Sequence, residues 1–287
     1  MAHAVHLRTG QEPYPGYHLR HLIGSGGFAD VWAADAAGGR QVALKFLACS
    51  HGRNPQEEIR ALQLIQQLHH PNLIRMERIW CLPGYLVVAM ELADGSLRDL
   101  LDVCLREAGA LPPPELICHF LRQAAEALDF LNTPRHLAGR RRLPIHHCDI
   151  KPSNLLLVGD TLKLADFGLA ALKVSNGRRG APAGTPGYAA PEVYEGRVSE
   201  RTDQFALAVT YCELRGGRLP YPHPPPNFPR RYVPPPPDLS MLTPPELPII
   251  ARALSPLPTD RWPSCAAMME RLTGLFVRQK AAAELYQ

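Results

Sequence analysis

The sequence predicts an α+β fold of two lobes, a small sheet carrying one helix and then a larger, mainly helical lobe. Two patterns predict it. Between Tyr17 and about Met90 the runs YHLRHLIG, ADVWAA, RQVALKFL, LIRMERIW and YLVVAM read as strands, interrupted by one helical stretch near Pro55 to Leu68. Between Leu97 and about Val277 the apolar spacing is mostly helical, as in ELICHFLRQAAEALDFL and DQFALAVTYCELR, with short extended pieces at NLLLV and TLKLADF. ELADGS, around Asp94 to Ser96, is the expected hinge. The chain shows no internal repeat of the solenoid type.

Composition bounds the function. With 287 residues, 46% of them hydrophobic, the chain has enough apolar content to pack cores of this size, which argues against disorder of the whole chain. The formal charge of +4 is mild and arginine is scattered, so nucleic-acid binding gets little support. Seven cysteines, an odd number without CxxC spacing, argue against a disulfide framework or zinc ribbon and for a reducing, cytoplasmic location. The start, MAHAVHLRTGQEPYPGY, lacks the apolar core of a signal peptide, and no apolar run approaches the roughly 18 residues of a membrane span. The ending AAAELYQ carries no signal of a natural terminus, which leaves room for attached domains in a longer protein.

Two segments stand apart from the periodic pattern. Residues 133–144, TPRHLAGRRRLP, read as a basic, solvated surface turn, with an acidic-partner site as the alternative. Residues 220–248 hold thirteen prolines, including PPPP at 234–237, and read as a rigid extended surface connection. A ligand for proline-binding modules is the alternative there.

The first chemical constellation is IGSGGFADVW at 23–32, followed by VALK at 42–45. A strand, a glycine-rich turn and a return strand can lay bare backbone N–H groups over phosphates, which side chains at Gly24 and Gly26 would obstruct. An ordinary glycine hairpin fits the loop alone equally well. Lys45, at the end of an alternating strand, adds a mobile point charge facing the same phosphates. It is one of five lysines against 26 arginines, which makes a casual surface cation a weaker explanation.

The second constellation is IHHCDIKPSNLLL at 145–157 with LADFGLA at 164–170. Asp149 and Asn154 are five apart on a turn closed by Pro152, and Asp166 follows a short strand. The three can converge on one phosphate and metal cluster, and hard oxygen ligands suit Mg²⁺. Singly they are a turn former, a cap and a loop-start residue; together, at these offsets, coincidence is a poor explanation.

With these motifs in this order, the chain resembles the bacterial eukaryotic-like (Hanks-type) serine/threonine protein kinases from about Tyr17 to Leu275. The resemblance implies a two-lobed kinase fold with a small antiparallel sheet, a kinase domain at 17–275 with lobes at about 17–91 and 96–275, an extension at 1–16 and a tail at 276–287. It implies ATP and Mg²⁺ as cofactors and protein Ser/Thr hydroxyls as acceptors. Lys45 would hold the α- and β-phosphates under the loop Ile23, Gly24, Ser25, Gly26 and Gly27. Asp149 would accept or orient the substrate hydroxyl, Lys151 neutralise the transferring phosphoryl group, and Asn154 with Asp166 bind Mg²⁺. Val31 and Ala43 would line the adenine site from above and Leu156 from below. Met90 would stand at its back, and the backbone near Glu91 and Ala93 would hydrogen-bond the adenine edge.

The resemblance extends to substrate and architecture. GTPGYAAPE at 184–192 is similar to the peptide-positioning loop, in which Thr185 contacts the catalytic Asp and Lys. Asp203 is similar to the helix residue that tethers the catalytic loop, and Arg261 to the late arginine that pairs with Glu192.

Three departures stand out. Ala29 replaces the third glycine of the loop, and Cys148 stands where an arginine usually precedes the catalytic aspartate. The helix glutamate that pairs with Lys45 is ambiguous: the usual distance before HPN lands on Ala61, Glu58 lies one turn earlier and is favoured, and Glu57 is the alternative. A pseudokinase scaffold would require a lost catalytic residue. A small-molecule kinase would be expected to lack GTPGYAAPE. Cys148 and the few acceptors between 169 and 189 (Ser175, Thr185 and Tyr188) imply activity that does not require phosphorylation of that segment.

Overall fold

A computed structural model describes residues 7–26, 29–48, 55–138, 141–167, 184–222 and 234–285. The chain divides into two units, Met1–Asp94 and Gly95–Gln287.

The first unit is built on an antiparallel sheet of β1 (His18–Ser25), β2 (Ala29–Ala36), β3 (Arg40–Ala48), β4 (Met76–Leu82) and β5 (Tyr85–Glu91). Their order is β1-β2-β3-β5-β4. Period-two alternation gives each strand two apolar faces. One face packs Leu19, Ala34, Val42, Leu44, Phe46, Val87 and Ala89 into a closed core. Burying Leu44 and Phe46 completely is worth about 1.5–3 kcal/mol each. The other face receives α1 (Pro55–Gln66), whose Ile59 and Leu62 meet Leu47, Leu86 and Val88.

One expectation for this unit needs correction, and the packing also begins earlier than Tyr17. LIRMERIW is not a strand throughout: β4 begins at Met76, and Leu73 and Ile74 are buried in the turn that Leu73 N closes on His70 O (3.1 Å). The extension before Tyr17 is part of the packed unit. Gly10 N donates to Leu19 O (2.7 Å), Leu19 N donates to Gln11 O (2.8 Å), and Tyr14 lies against Trp80 with ring centroids 5.0 Å apart.

The second unit contains α2 (Leu97–Val103), α3 (Pro114–Asn132), α4 (Pro191–Tyr194), α5 (Thr202–Gly216), α6 (Leu247–Ala253) and α7 (Cys265–Leu285). A capping box, Ser96 with Asp99, starts α2. Residues Thr202 to Leu214 of α5 are all buried, the signature of a helix at the centre of its unit. Asp129 of α3 accepts from the Cys265 and Ala266 amides (2.9 Å each), so one helix caps the start of another. A three-stranded sheet, β6 (Gly95–Ser96), β9 (Leu155–Val158) and β10 (Thr161–Leu164) in the order β10-β9-β6, frames the loop at 145–154.

The basic segment 133–144 is not a bare turn: β7 (His136–Ala138) and β8 (Arg141–Leu143) pair across it, and His136 is buried against the carbonyls of Phe130 and Leu131. In the proline-rich segment the described residues carry no helix or strand until α6. There Pro248 occupies the first turn, where its missing N–H costs nothing. The boundary expected at Leu275 falls inside α7, where Phe276 is buried. No disulfide joins cysteines among the described residues, and no described helix is long and apolar enough to cross a membrane.

Candidate active site

Strand register in the first unit places the expected nucleotide residues together. Val31 pairs with Lys45, Lys45 with Val88, and Ala43 with both Ala33 and Met90, so Val31, Ala43, Lys45 and Met90 share one face of the sheet. It is the face that α1 covers through Leu86 and Val88. Gly24 pairs with Val31 at the end of β1 beside the exposed Ile23, and Ser25 closes the loop through Oγ to Asp30 Oδ1 (2.6 Å). A β-carbon on Gly24 would meet nothing within 4 Å, and one on Gly26 only Ala29 O at 3.8 Å. Packing among the described residues therefore does not account for these glycines. Glu91 N donates to Arg75 O (3.0 Å) and Arg75 N to Glu91 Oε1 (2.7 Å), fixing the end of β5 just before Ala93. Gly27 lies outside the described residues, as do the side chains of Glu57 and Glu58, whose backbone belongs to α1.

In the second unit the 145–154 loop and the 184–192 loop meet at Asp149. Asp149 Oδ1 accepts from Thr185 N (2.9 Å) and Thr185 Oγ1 (2.7 Å), and Oδ2 accepts from Asn154 Nδ2 (2.9 Å) with Lys151 Nζ at 3.0 Å. Lys151 Nζ also donates to Thr185 Oγ1 (2.6 Å). The carboxylate is thus buried but fully hydrogen-bonded, and its orientation is set from four directions. Leu156 pairs with Lys163 across β9 and β10, directly behind this loop.

Backbone conformation explains how the loop holds that shape. Cys148 sits at φ +64°, a conformation unfavourable for a residue with a side chain. Asp203, fully buried on α5, compensates by accepting from His147 N (2.9 Å) and Cys148 N (2.8 Å). His147 is buried beneath Phe167 and joins the loop to Ala165 O through Nε2 (2.9 Å). Asp166, the next residue, is at φ +67°. Gly168 lies outside the described residues.

Glu192 and Arg261 form a bidentate pair at 2.8 and 2.8 Å. Arg261 Nη1 also donates to Arg201 O (3.0 Å), Nε to Ser255 O (2.9 Å) and Nη2 to Pro256 O (3.2 Å). All five guanidinium donors are used, which is what tolerates its complete burial.

Sequence reasoning missed two groups here. Gly184, at φ +104°, packs on the Cys148 carbonyl; the glycine heading the 184–192 loop was its signal. Tyr188 donates its hydroxyl to Glu213, which also takes Arg98 from α2. Burial and the Glu213 carboxylate both push the Tyr188 hydroxyl pKa up, so it stays a donor. Glu213 and Arg98 are far apart in sequence, and nothing in the local pattern couples them.

The donor set fits Mg²⁺. Asn154 Nδ2 is committed to Asp149 O (2.8 Å) and Oδ2, which leaves the amide oxygen as its ligand atom. With the Asp166 carboxylate this gives two hard oxygens, and no cluster of three His, Cys, Asp or Glu occurs among the described residues. That is too few for an all-protein zinc cage, and it suits an ion that keeps waters and phosphate oxygens.

An antiparallel five-stranded unit with a helix on one face, followed by a helical unit holding a hydrogen-bonded aspartate, lysine and asparagine, has the architecture of the protein kinase class of folds. The family model for the protein kinase domain matches residues 17–229, and the chain belongs to the protein kinase family. It is 34% identical over 227 residues to CBL-interacting protein kinase 4 of Oryza sativa subsp. japonica, covering 73% of this chain and 46% of that protein. It is 33% identical over 221 residues to the serine/threonine-protein kinase drp72 of Corynebacterium efficiens, covering 72% and 40%. It is 30% identical over 212 residues to calcium/calmodulin-dependent protein kinase type 1B of Rattus norvegicus, covering 71% and 58%. The match thus spans about half the length of these relatives.

Proposed function

We propose that the chain is an active, cytoplasmic, ATP-dependent serine/threonine protein kinase acting on protein hydroxyls, with its kinase domain at about 17–275. The observation that carries this is the Thr185 hydroxyl donating to Asp149 Oδ1 at 2.7 Å beside Lys151. A hydroxyl is already received there by the carboxylate assigned to the substrate.

In this reading Lys45 holds the α- and β-phosphates and, through Glu58 on α1, is kept from wandering. The backbone of 23–27 would cover the phosphates; Val31, Ala43 and Met90 of the first unit are assigned to the adenine, as is Leu156 of the second, with the backbone at Glu91 and Ala93 reading its edge. Asp149 orients the acceptor hydroxyl and takes its proton. Lys151 balances the charge of the transferring group. Asn154 and Asp166 would hold Mg²⁺, which when bound shields the phosphate charge. Most of the rate comes from positioning and fixed charge rather than covalent chemistry by the protein. We further assign independence from phosphorylation of residues 169–189, since the side chain before Asp149 is the uncharged, buried Cys148 rather than a cation to be neutralised.

The test is incubation of the purified protein with labelled ATP, Mg²⁺ and a generic basic-protein substrate, followed by phosphoamino-acid analysis. Label is expected on serine and threonine, and Lys45→Met or Asp149→Asn should lower the rate by about 10²–10⁴-fold in folded protein. No transfer by well-folded wild type, or near-normal turnover by Asp149→Asn, overturns the reading.

A further inference from the structure

Resting on the reading of 184–192 as a peptide-positioning loop, we propose that a cavity at the end of that loop is a docking subsite for a tryptophan or tyrosine side chain of the protein substrate. The cavity lies wholly within the second unit and has a volume of about 360 Å³, within the range of small-ligand pockets. Four consecutive prolines, 234–237, form one wall, and Pro191, Pro256 and Pro258 complete it.

Proline has no N–H, so these seven positions offer ring carbons and carbonyl oxygens but no backbone donor. The Pro256 carbonyl is engaged by Arg261 (3.2 Å) and the Pro258 carbonyl by Arg201 (3.1 Å), while the run 234–237 and the Glu195 carboxylate add further acceptors to the lining. The complementary group is a flat apolar ring with a donor at its edge, which describes an indole N–H or a phenol O–H. Anions find little purchase, because the rim cation Arg197 is already paired with Glu195.

The walls are in place before a ligand arrives. Glu192 is fixed by Arg261, Tyr221 stacks on Phe205 (centroids 5.8 Å, 15°), and Asp238, just after the proline run, is held by Arg218 (2.6 Å) and by its own N–H to Pro220 O (2.8 Å). Preorganisation of this kind lowers the cost of binding. Leu257, which lines the cavity, is 62% exposed, an apolar side chain that a docked ring would cover.

Continuity with the 184–192 loop points to the substrate as occupant. Thr185 at the loop's start touches Asp149, and Pro191 at its end lines the cavity. The chain between them spans at most about 20 Å, so an extended substrate with its hydroxyl at Asp149 reaches the cavity within roughly six residues.

The experiment uses single-serine peptides in which one tryptophan is stepped through about eight residues on either side of the serine. Alanine counterparts serve as reference. At one or more placements KM is expected to fall about tenfold with kcat unchanged. Leu257→Ser and Leu257→Glu should abolish that gain while leaving turnover of the alanine peptide intact. Fluorescein-labelled versions of the same peptides are titrated by anisotropy without ATP, giving a readout independent of phosphotransfer. Leu257-dependent binding of a tryptophan peptide without any phosphorylation would remove the kinase reading and leave the cavity assignment standing. Phosphorylation with no tryptophan gain at any placement, or a gain that survives both variants, overturns the proposal. So does loss of self-association in the Leu257 variants with peptide binding unchanged, which would make a second copy of the chain the occupant. Failure of both readouts overturns both readings.

Discussion

Gly184 rests directly on the backbone of Cys148: a β-carbon at Gly184 would stand 2.4 Å from the Cys148 carbonyl oxygen. Both residues have positive φ, +104° and +64°, so the loop before Asp149 and the loop before Thr185 touch where one backbone is strained and the other has a conformation that glycine alone adopts freely. Gly184→Ala should therefore separate Thr185 from Asp149 and lower kcat/KM by about 100-fold, since small misplacements at a reacting centre are costly. Gly196→Ala is the control. It has φ +73° with nothing within 4 Å, so it should cost about 1 kcal/mol of stability and leave turnover unchanged. Steady-state kinetics and thermal melts of the two variants decide the point.

The Glu192–Arg261 pair joins residues 69 apart in sequence and is buried on both sides. Removing one partner leaves an uncompensated charge, so Arg261→Met or Glu192→Met should destabilise by about 3–5 kcal/mol in urea denaturation. The double variant Glu192→Met/Arg261→Met should cost clearly less than the two single changes added together. Simple additivity would mean that the two side chains do not act as a pair.

Acid should weaken the second unit through Glu246. This carboxylate is fully buried, which by itself raises its pKa, but hydrogen bonds from Arg215, Thr243 and Tyr211 outweigh burial and hold it at about 2. A depressed folded-state pKa contributes stability that is complete above the ordinary value of 4.5 and is lost as pH falls toward 2. Allowing for screening by water, about 1–2 kcal/mol should disappear between pH 5.5 and 3. Glu246→Gln should flatten that part of the pH-stability curve. An unchanged slope in the variant would place the acid sensitivity elsewhere.

Helical periodicity in α1 bears on the choice between Glu58 and Glu57. Ile59, Leu62 and Ile65 are its inward residues. At 100° per residue, position 58 lies about 40° from the centre of that face and position 57 about 140° from it. Glu58→Gln should therefore slow phosphotransfer at least about tenfold more than Glu57→Gln. The reverse order would shift the helix register by one residue.

Much of this was legible in the sequence, for a physical reason. Strand alternation and helical spacing are local, so β2, β3, α3 and α5 lie within two residues of where the pattern puts them. Asp149, Lys151, Asn154 and Thr185 could be brought together because two short motifs carry them. What the pattern could not supply was contact between distant backbones: Gly184 on Cys148, Asp129 capping α7, Tyr188 and Arg98 meeting on Glu213. The hairpin across 133–144 was hidden by its arginines, which read as a solvated turn, whereas His136 of the same segment is buried against the carbonyls of Phe130 and Leu131. The packing of residues before Tyr17 was not legible because its anchors, Gly10 to Leu19 and Tyr14 to Trp80, are a backbone bond and a ring contact rather than a periodic apolar run.

Turnover should not depend on phosphorylation of residues 169–189. Where a cation precedes the catalytic aspartate, a phosphorylated loop residue neutralises it and couples loop order to modification. Here the residue before Asp149 is the buried Cys148 rather than a cation, and its backbone is fixed by Asp203 at 2.8 Å. Of the hydroxyls in the segment, Thr185 is engaged by Asp149 and Lys151, and Tyr188 by Glu213, leaving Ser175 as the acceptor to watch. The purified protein is treated with a phosphatase, mass spectrometry confirms that the segment carries no phosphate, and initial rates are measured on an added peptide. Rates should stay within about twofold of the untreated enzyme, and Ser175→Ala should behave as wild type. A fall of about tenfold, equivalent to about 1.4 kcal/mol in the transition state, restored by rephosphorylation of the segment, would overturn the inference drawn from Cys148.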